Sequence, residues 1–257
     1  LPIIGANLWY KPMSTSNSIL DQDVTEALKL LAEWNGEMNE HLPEPLIFYS
    51  WMRKLQQRLT QDELGVLSKE FSNFEPLFLE RVFRDIDGAS QWCDVLQSIP
   101  VERCETIAEL ALYDAISELR ERYKLKMNSL RWGDVHIAMH DHLTLGHIPL
   151  LNLLINLRQS VSGGDYTLMR GLSSGNEYNP FENVHAAVYR GIYDFSDPDS
   201  SLYIISTGQS GHLFSRHYDD LGQLWRRGEY INMSLDPDLA KAASNGTTKI
   251  IPVPNLQ

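Results

Sequence analysis

A chain of 257 residues is long enough to bury a substantial core, as one large domain or as two lobes. Hydrophobic residues at 43% and charged residues at 22% are ordinary for a globular protein, and the formal net charge of −12 argues against a nucleic-acid partner and against adhesion to anionic lipid. No apolar run approaches the roughly 20 residues that span a bilayer, and the opening Leu1-Pro2-Ile3-Ile4 is too short for a signal peptide, so the expectation is a cytosolic chain or a mature product whose signal was removed.

Residues 1–20 read as an irregular leader, with Pro2, Gly5, Pro12 and a polar cluster from Ser14 to Ser18. Asp21 or Asp23 can cap a helix that runs to about Trp34, its apolar positions Val24, Ala27, Leu28, Leu31 and Trp34 following the i, i+3, i+4 rule, and Asn35-Gly36 ends it. A second helix starts near Pro43 to Pro45 and carries Leu46, Ile47, Phe48, Trp51, Met52 and Leu55 to about Leu59. Thr60 is then expected to cap a shorter helix, with Glu63 at the capping-box position. Further helices are expected over Pro76 to Phe83, Ala89 to Gln97 and, longest of all, Glu102 to Tyr123, where Glu118 and Arg122 form an i, i+4 pair.

The pattern changes after Trp132. Leu150 to Leu157 reads as a short buried helix, Ser162-Gly163-Gly164-Asp165 as a turn, and Tyr166 to Met169, Ala186 to Asp194 and Ser201 to Ser206 as strands, with a turn at Asp197-Pro198-Asp199. The tail beyond Asn245 is punctuated by Gly, Pro and Asn and ends in an extended stretch from Ile250 to Pro254. The resulting organisation is α+β: a helical segment over 21–158, then a strand-rich segment over 159–257.

Two cysteines, Cys93 and Cys104, flank Ser98-Ile99-Pro100, which interrupts any helix between them. Spacing alone leaves two reduced thiols and a bridge both open; a bridge closing so short a loop would add roughly 2–3 kcal/mol in the chain-entropy picture.

Four constellations could carry chemistry. His136, His140, His142 and His147 offer i, i+4 imidazoles of the kind a helical zinc site uses, but no Glu follows the first histidine, and the plainer reading is hydrogen bonding across a helix–loop junction. Thr207-Gly208-Gln209-Ser210-Gly211-His212 approaches a nucleophile elbow, but His212 stands where the second glycine belongs. A Ser210–His217–Asp219 triad would need three groups within a few residues to converge with no scaffold between them, so a tight polar loop is preferred. Asp219-Asp220 reads as one buried hydrogen-bonding carboxylate and one solvated one, and Trp225 as a core residue beside solvated Arg226 and Arg227.

Several phrases, in order, resemble those of the penicillin acylase family of N-terminal-nucleophile amidohydrolases. They are Leu31-x-x-Trp34-Asn35-Gly36-x-Met38; Trp92-Cys93-Asp94 followed by Cys104-Glu105-Thr106; Leu130-Arg131-Trp132-Gly133-Asp134-Val135-His136; Gly163-Gly164-Asp165-Tyr166-Thr167; and Arg190 through Asp194. A C-terminal signature of Gln209, Ser210, His212, Ser215, His217, Asp220, Trp225 and Tyr230 completes the series. Two departures stand out: Glu105-Thr106 follows the cysteine instead of preceding it, and Arg131 stands between Leu130 and Trp132.

The resemblance implies that these strands belong to an αββα sandwich of which this chain is an incomplete piece, the C-terminal part of a large subunit, with unpaired strand edges to be covered. It implies a Cys93–Cys104 disulfide, a periplasmic or secreted location, and a parent amidohydrolase acting on an acyl-homoserine lactone or a penicillin-like amide. The family's nucleophile is an N-terminal Ser in a Ser-Asn-x-Trp start. Gly5-Ala6-Asn7-Leu8-Trp9 only echoes this, with Ala6 at the serine position, so no catalytic residue is assigned to the chain and it is expected to be inert alone. Gln209, Ser210, His212, His217 and Asp220 are the residues expected near the site. No cofactor is assigned, any calcium site being expected in the remaining part. The implied partners are the rest of the acylase heterodimer or a second copy, and the small amide substrate. The competing readings are a non-catalytic helical binding module and a His-dependent metalloenzyme.

Overall fold

The computed structural model describes residues 18–71, 73–96, 98–99, 101–244 and 246–252, so the leader to residue 17, the Gly5–Trp9 echo and the last five residues lie outside the described part. The chain is α+β and divides into two compact units, one built from the described residues as far as Met139 with Arg158–Ala186, the other from His140–Leu157 with the residues from Ala187 onward.

Among the described residues, the first unit holds four α-helices. Helix α1 (Ser18–Glu33) buries Val24 and Ala27, and its buried Asp23 carboxylate accepts from Arg120. Beyond its end, Gly36 has a φ of +86° and Trp34 donates its indole N–H to the Glu37 carbonyl at 2.9 Å, so the Asn-Gly pair ends the helix. Helix α2 (Glu44–Leu64) starts on Pro43 and buries Leu46, Ile47, Trp51, Met52, Leu55 and Leu59. It continues through Thr60, which caps nothing: its hydroxyl bonds back to the Gln56 carbonyl at 2.8 Å, and the helix ends at Gly65. A 3-10 segment (Gly65–Phe71) and helix α3 (Pro76–Phe83) follow.

The expected helix from Ala89 to Gln97 is replaced by a 3-10 segment, Ile86–Cys93, kinked at Asp87 and Gly88. Both kink residues hold positive φ, which an α-helix cannot accommodate. Cys93 is bonded to Cys104, the first residue of helix α4 (Cys104–Tyr123), giving the pairing the resemblance implied. Helix α4 buries Ile107, Ala108, Ala111, Leu112, Ala115, Ile116 and Leu119, and the Trp51 indole of α2 donates to the Ala108 carbonyl at 2.8 Å. Each such large apolar side chain contributes about 1.5–3 kcal/mol of burial.

A four-stranded sheet completes this unit, in the order β2-β1-β4-β3, with β1 (Ile137–His140), β2 (Leu157–Ser160), β3 (Gly171–Ser173) and β4 (Asn183–Ala186). Strand β4 runs parallel to β1, Ala138 facing Asn183, and antiparallel to β3. The expected strand at Tyr166 to Met169 does not form. The Thr167 hydroxyl takes the Gly164 N–H at 3.0 Å and donates at 2.9 Å to the Met169 carbonyl, holding a turn, and pairing begins only at Gly171.

The second unit carries an antiparallel sheet ordered β5-β6-β7, with β5 (Tyr189–Ile192), β6 (Leu202–Ile205) and β7 (Ile231–Asn232). The run from Ala186 to Asp194 is therefore two strands in two sheets, interrupted at residues 187–188. Three short helices accompany the sheet: α5 (Asn152–Ile155), α6 (Gly222–Arg227) and α7 (Pro237–Ala243). In α5 only Ile155 is buried, and Leu153 and Leu154 are 78% and 70% exposed, so the apolar run from Leu150 is not a buried helix. Among the described residues of this unit, the buried apolar ones are Ile155, Ile204 and Trp225.

Candidate functional site

The signature residues from Gln209 to Asp220 lie in one loop of the second unit, between β6 and α6, and Trp225 stands in α6 itself. Backbone bonds close it: Leu221 N–H to Thr207 carbonyl at 3.0 Å and Ser210 N–H to His217 carbonyl at 2.9 Å. Gly208 is required where the two halves meet, because a Cβ there would stand 2.1 Å from the His217 carbonyl oxygen and 2.7 Å from an Asp220 carboxylate oxygen. The Tyr218 hydroxyl donates to the Ile155 carbonyl and fastens the loop to the end of α5.

Within the loop, His217 Nδ1 lies 2.7 Å from Asp220 Oδ2, and His217 Nε2 accepts from Arg216 Nε at 3.0 Å. That pattern fixes the tautomer, with the proton on Nδ1 directed at the carboxylate. A general base would need its Nε2 lone pair facing a hydroxyl. Here Arg216 occupies it, and the Ser210 oxygen instead accepts the His212 backbone N–H at 3.1 Å. The Ser210–His217–Asp219 alternative is excluded on the same geometry, since the partner of His217 is Asp220. Asp219 and Asp220 are both exposed, so neither is the buried carboxylate expected of the pair. His212 Nδ1 accepts the Phe214 N–H at 3.2 Å, and Gln209 donates to the Tyr203 hydroxyl at 3.3 Å. Every candidate residue is thus used in shaping the loop.

Trp225 is buried below this loop, its indole N–H donating to the Ala187 carbonyl at 3.0 Å. The cation over its ring is Arg190, whose guanidinium carbon lies 4.7 Å from the ring centroid and which also donates to the Trp225 carbonyl at 2.9 Å. Arg227, one of the two arginines read as solvated, pairs with Glu229 at 2.8 Å. Arg190 sits one strand earlier in the chain, and only the pairing of β5 with β6 reveals it as the partner.

The four histidines share no helix face. His136 precedes β1 and His140 ends it, because residues 137–140 pair as a strand. The His140 ring meets Trp225 edge-on at 5.9 Å, and His142 Nε2 lies 3.2 Å from the Gly211 carbonyl. Among the described residues no three His, Cys, Asp or Glu side chains converge into a metal-binding group. The reading as a His-dependent metalloenzyme therefore loses the geometry that prompted it.

The sequence phrases of the first unit meet in a buried hub. The Trp132 indole donates to the Gly163 carbonyl at 2.8 Å, its ring stacks on His136 at 4.4 Å, and Tyr49 packs against it at 5.1 Å. The Gly163 N–H bonds the Met38 carbonyl at 2.7 Å, and the Gly133 N–H bonds the Glu40 carbonyl at 2.8 Å. The tryptophan, glycine-pair and Trp-Asn-Gly-x-Met phrases therefore hold one another in place. His136 is 0% exposed, and burial pushes its imidazole down to about 4, against the raising effect of its 2.7 Å bond to the Phe181 carbonyl. Burial likewise raises the Asp165 carboxyl, although it accepts the Ser173 N–H at 2.6 Å, and burial and then the neighbouring Asp165 charge raise the Tyr49 phenol. Perturbed titration here follows from enclosure in a packed core. Tyr49 and the buried Gln56 carry no motif in the sequence, yet the Tyr49 hydroxyl accepts the Asp165 N–H at 2.9 Å and the Gln56 amide donates to the Phe71 carbonyl at 2.9 Å and to the Asn73 carbonyl.

The chain is 24% identical over 224 residues to an acyl-homoserine lactone acylase, QuiP, of Pseudomonas syringae pv. tomato, covering 82% of this chain and 26% of that protein. It is 26% identical over 143 residues to a penicillin acylase 2 proenzyme of a Pseudomonas species, covering 54% of this chain and 18% of the relative. The chain thus spans about a quarter or less of the length of these curated relatives. A thermostable penicillin G acylase from Alcaligenes faecalis has a similar fold, with a TM-score of 0.54 at 13% identity over 99% of this chain and 46% of that one. A family model for penicillin amidase matches residues 4–242, a range that contains every one of these phrases, and the chain accordingly belongs to the penicillin amidase family.

Proposed function

We propose that this chain is the C-terminal part of the large subunit of an amidohydrolase that releases an acyl group from an amide, of the acyl-homoserine lactone or penicillin class. In this reading the chain is a scaffold and is inactive alone. Its strands belong to an αββα sandwich completed by the rest of the enzyme, and the nucleophile is an N-terminal Ser on that other part. The family membership supports the reaction class. The observation that carries the scaffold role is the signature loop: the Ser210 hydroxyl is held by its own loop, and the base position of His217 is filled by Arg216. The Cys93–Cys104 bridge supports an oxidising compartment, periplasmic or extracellular. No helix among the described residues is long and apolar enough to cross a membrane. Strands in both units weigh against the alternative of an all-helical binding module.

The test uses a longer protein carrying the upstream sequence. That sequence is expected to contain a Ser-Asn-x-Trp start, and the protein to release homoserine lactone or 6-aminopenicillanic acid from the corresponding amide. Replacing that serine should abolish turnover. An upstream sequence lacking such a start, or a processed protein that turns over neither class of amide, overturns the proposal.

A further inference from the structure

A cavity of about 650 Å³ opens in the first unit beside α2 and α4. Arg53, Lys54, Lys69 and Arg122 line it together with Glu118 and Glu177, an excess of two positive charges in a chain whose net charge is −12. The two oxygens of Glu118 are already engaged, one by Lys54 Nζ at 2.5 Å and the other by Arg122 Nη2 at 3.2 Å. Arg122 spends further donors on the carbonyls of Tyr178 at 2.7 Å and Glu177 at 3.3 Å.

Arg53 is left over. Its Nε is enclosed and has no hydrogen-bond partner, and its guanidinium enters no ion pair among the described residues. Burial lowers its proton affinity, which the charge of Glu118 only partly restores. Buried polar groups are almost always satisfied, and an unsatisfied guanidinium fork is matched in shape and charge by a carboxylate or phosphate. The volume is within the range of small-molecule sites, roughly 300–1,000 Å³, and exceeds what a bare ion fills.

We propose that this cavity binds a small molecule through an oxyanion head group, carboxylate or phosphate, seated on Arg53, with Lys69, which also lines the cavity, adding its charge. The site is independent of the acylase reading, which concerns other residues and another part of the enzyme.

Titration calorimetry of the 257-residue chain with inorganic phosphate and, separately, with succinate tests it, each at constant ionic strength against chloride. The expected result is saturable one-to-one binding of at least one of them, the stronger identifying the head group. Arg53→Gln should weaken binding about tenfold. Lys69→Gln, an exposed substitution that should leave thermal unfolding unchanged, should weaken it about threefold. Arg103→Gln, remote from the cavity, should leave it unaltered. Absence of saturation by both anions, or equal binding by wild type, Arg53→Gln and Lys69→Gln, overturns the proposal. So does binding by this chain that disappears in the longer protein, because an acidic side chain of the protein would then be the occupant.

Discussion

Replacing Gly163 with alanine tests whether the hub around Trp132 is built on close backbone approach. Gly163 has a φ of +96°, and a Cβ there would lie 1.9 Å from the Met169 carbonyl oxygen. The conformational strain of an L-residue in this region is about 1–2 kcal/mol, and forcing a backbone carbonyl aside in a packed turn adds about 1–3 kcal/mol. Displacing this peptide also pulls its carbonyl from the Trp132 indole, 2.8 Å away in the buried core, and an orphaned donor there costs about 1–3 kcal/mol. The total is roughly 3–8 kcal/mol, a large part of a typical folding free energy. Gly36→Ala provides the control. Its φ is +86°, but no heavy atom lies within 4 Å of the added Cβ, so only the strain of about 1–2 kcal/mol applies. Urea unfolding followed by tryptophan fluorescence measures both. A Gly163→Ala variant no less stable than Gly36→Ala would refute the close-approach argument.

His136 should make stability depend on pH. Its folded value of about 4 is below the unfolded value near 6.5, so the stability it confers is present above about pH 6.5 and lost as pH falls through 4, on the order of 3 kcal/mol. His136→Phe, which keeps a ring against Trp132, should remove about one proton's worth of that slope in unfolding curves between pH 6 and 4; an unchanged slope counts against the assignment. Opening the Cys93–Cys104 bridge, which spans a sequence separation of 11, should cost about 2–3 kcal/mol, measured as the difference between unfolding with and without reductant. Trp225→Phe removes the indole bond to Ala187 and weakens the hold on Arg190, an expected loss of about 1–3 kcal/mol. Ser210→Ala should change stability by less than about 0.5 kcal/mol, since the loop keeps its backbone closures.

The helices were legible because their signals are local. The apolar period of Val24 to Leu31, the prolines at 43 and 45 and the long stripe of α4 each state their own structure within one segment. The errors came where distant contacts decide. Thr60 reads as a cap, yet α2 continues because its flank packs and the hydroxyl finds a carbonyl within the same helix. Ala186 to Asp194 alternates like one strand, and nothing local reveals that its two ends pair with different sheets. The histidine group looked helical by spacing, whereas strand pairing with β4 sets its geometry. In the signature loop, nothing local reveals that Arg216 donates to His217 Nε2 or that the His212 N–H is bonded to the Ser210 oxygen.

The most direct measurement is acyl release by the purified 257-residue chain itself, assayed with a long-chain acyl-homoserine lactone and with penicillin G. The account predicts no hydrolysis above the buffer rate, for the wild type and for Ser210→Ala alike. Turnover by the wild-type chain that disappears in Ser210→Ala would contradict it, because the reaction centre would then lie in the loop described here as scaffold.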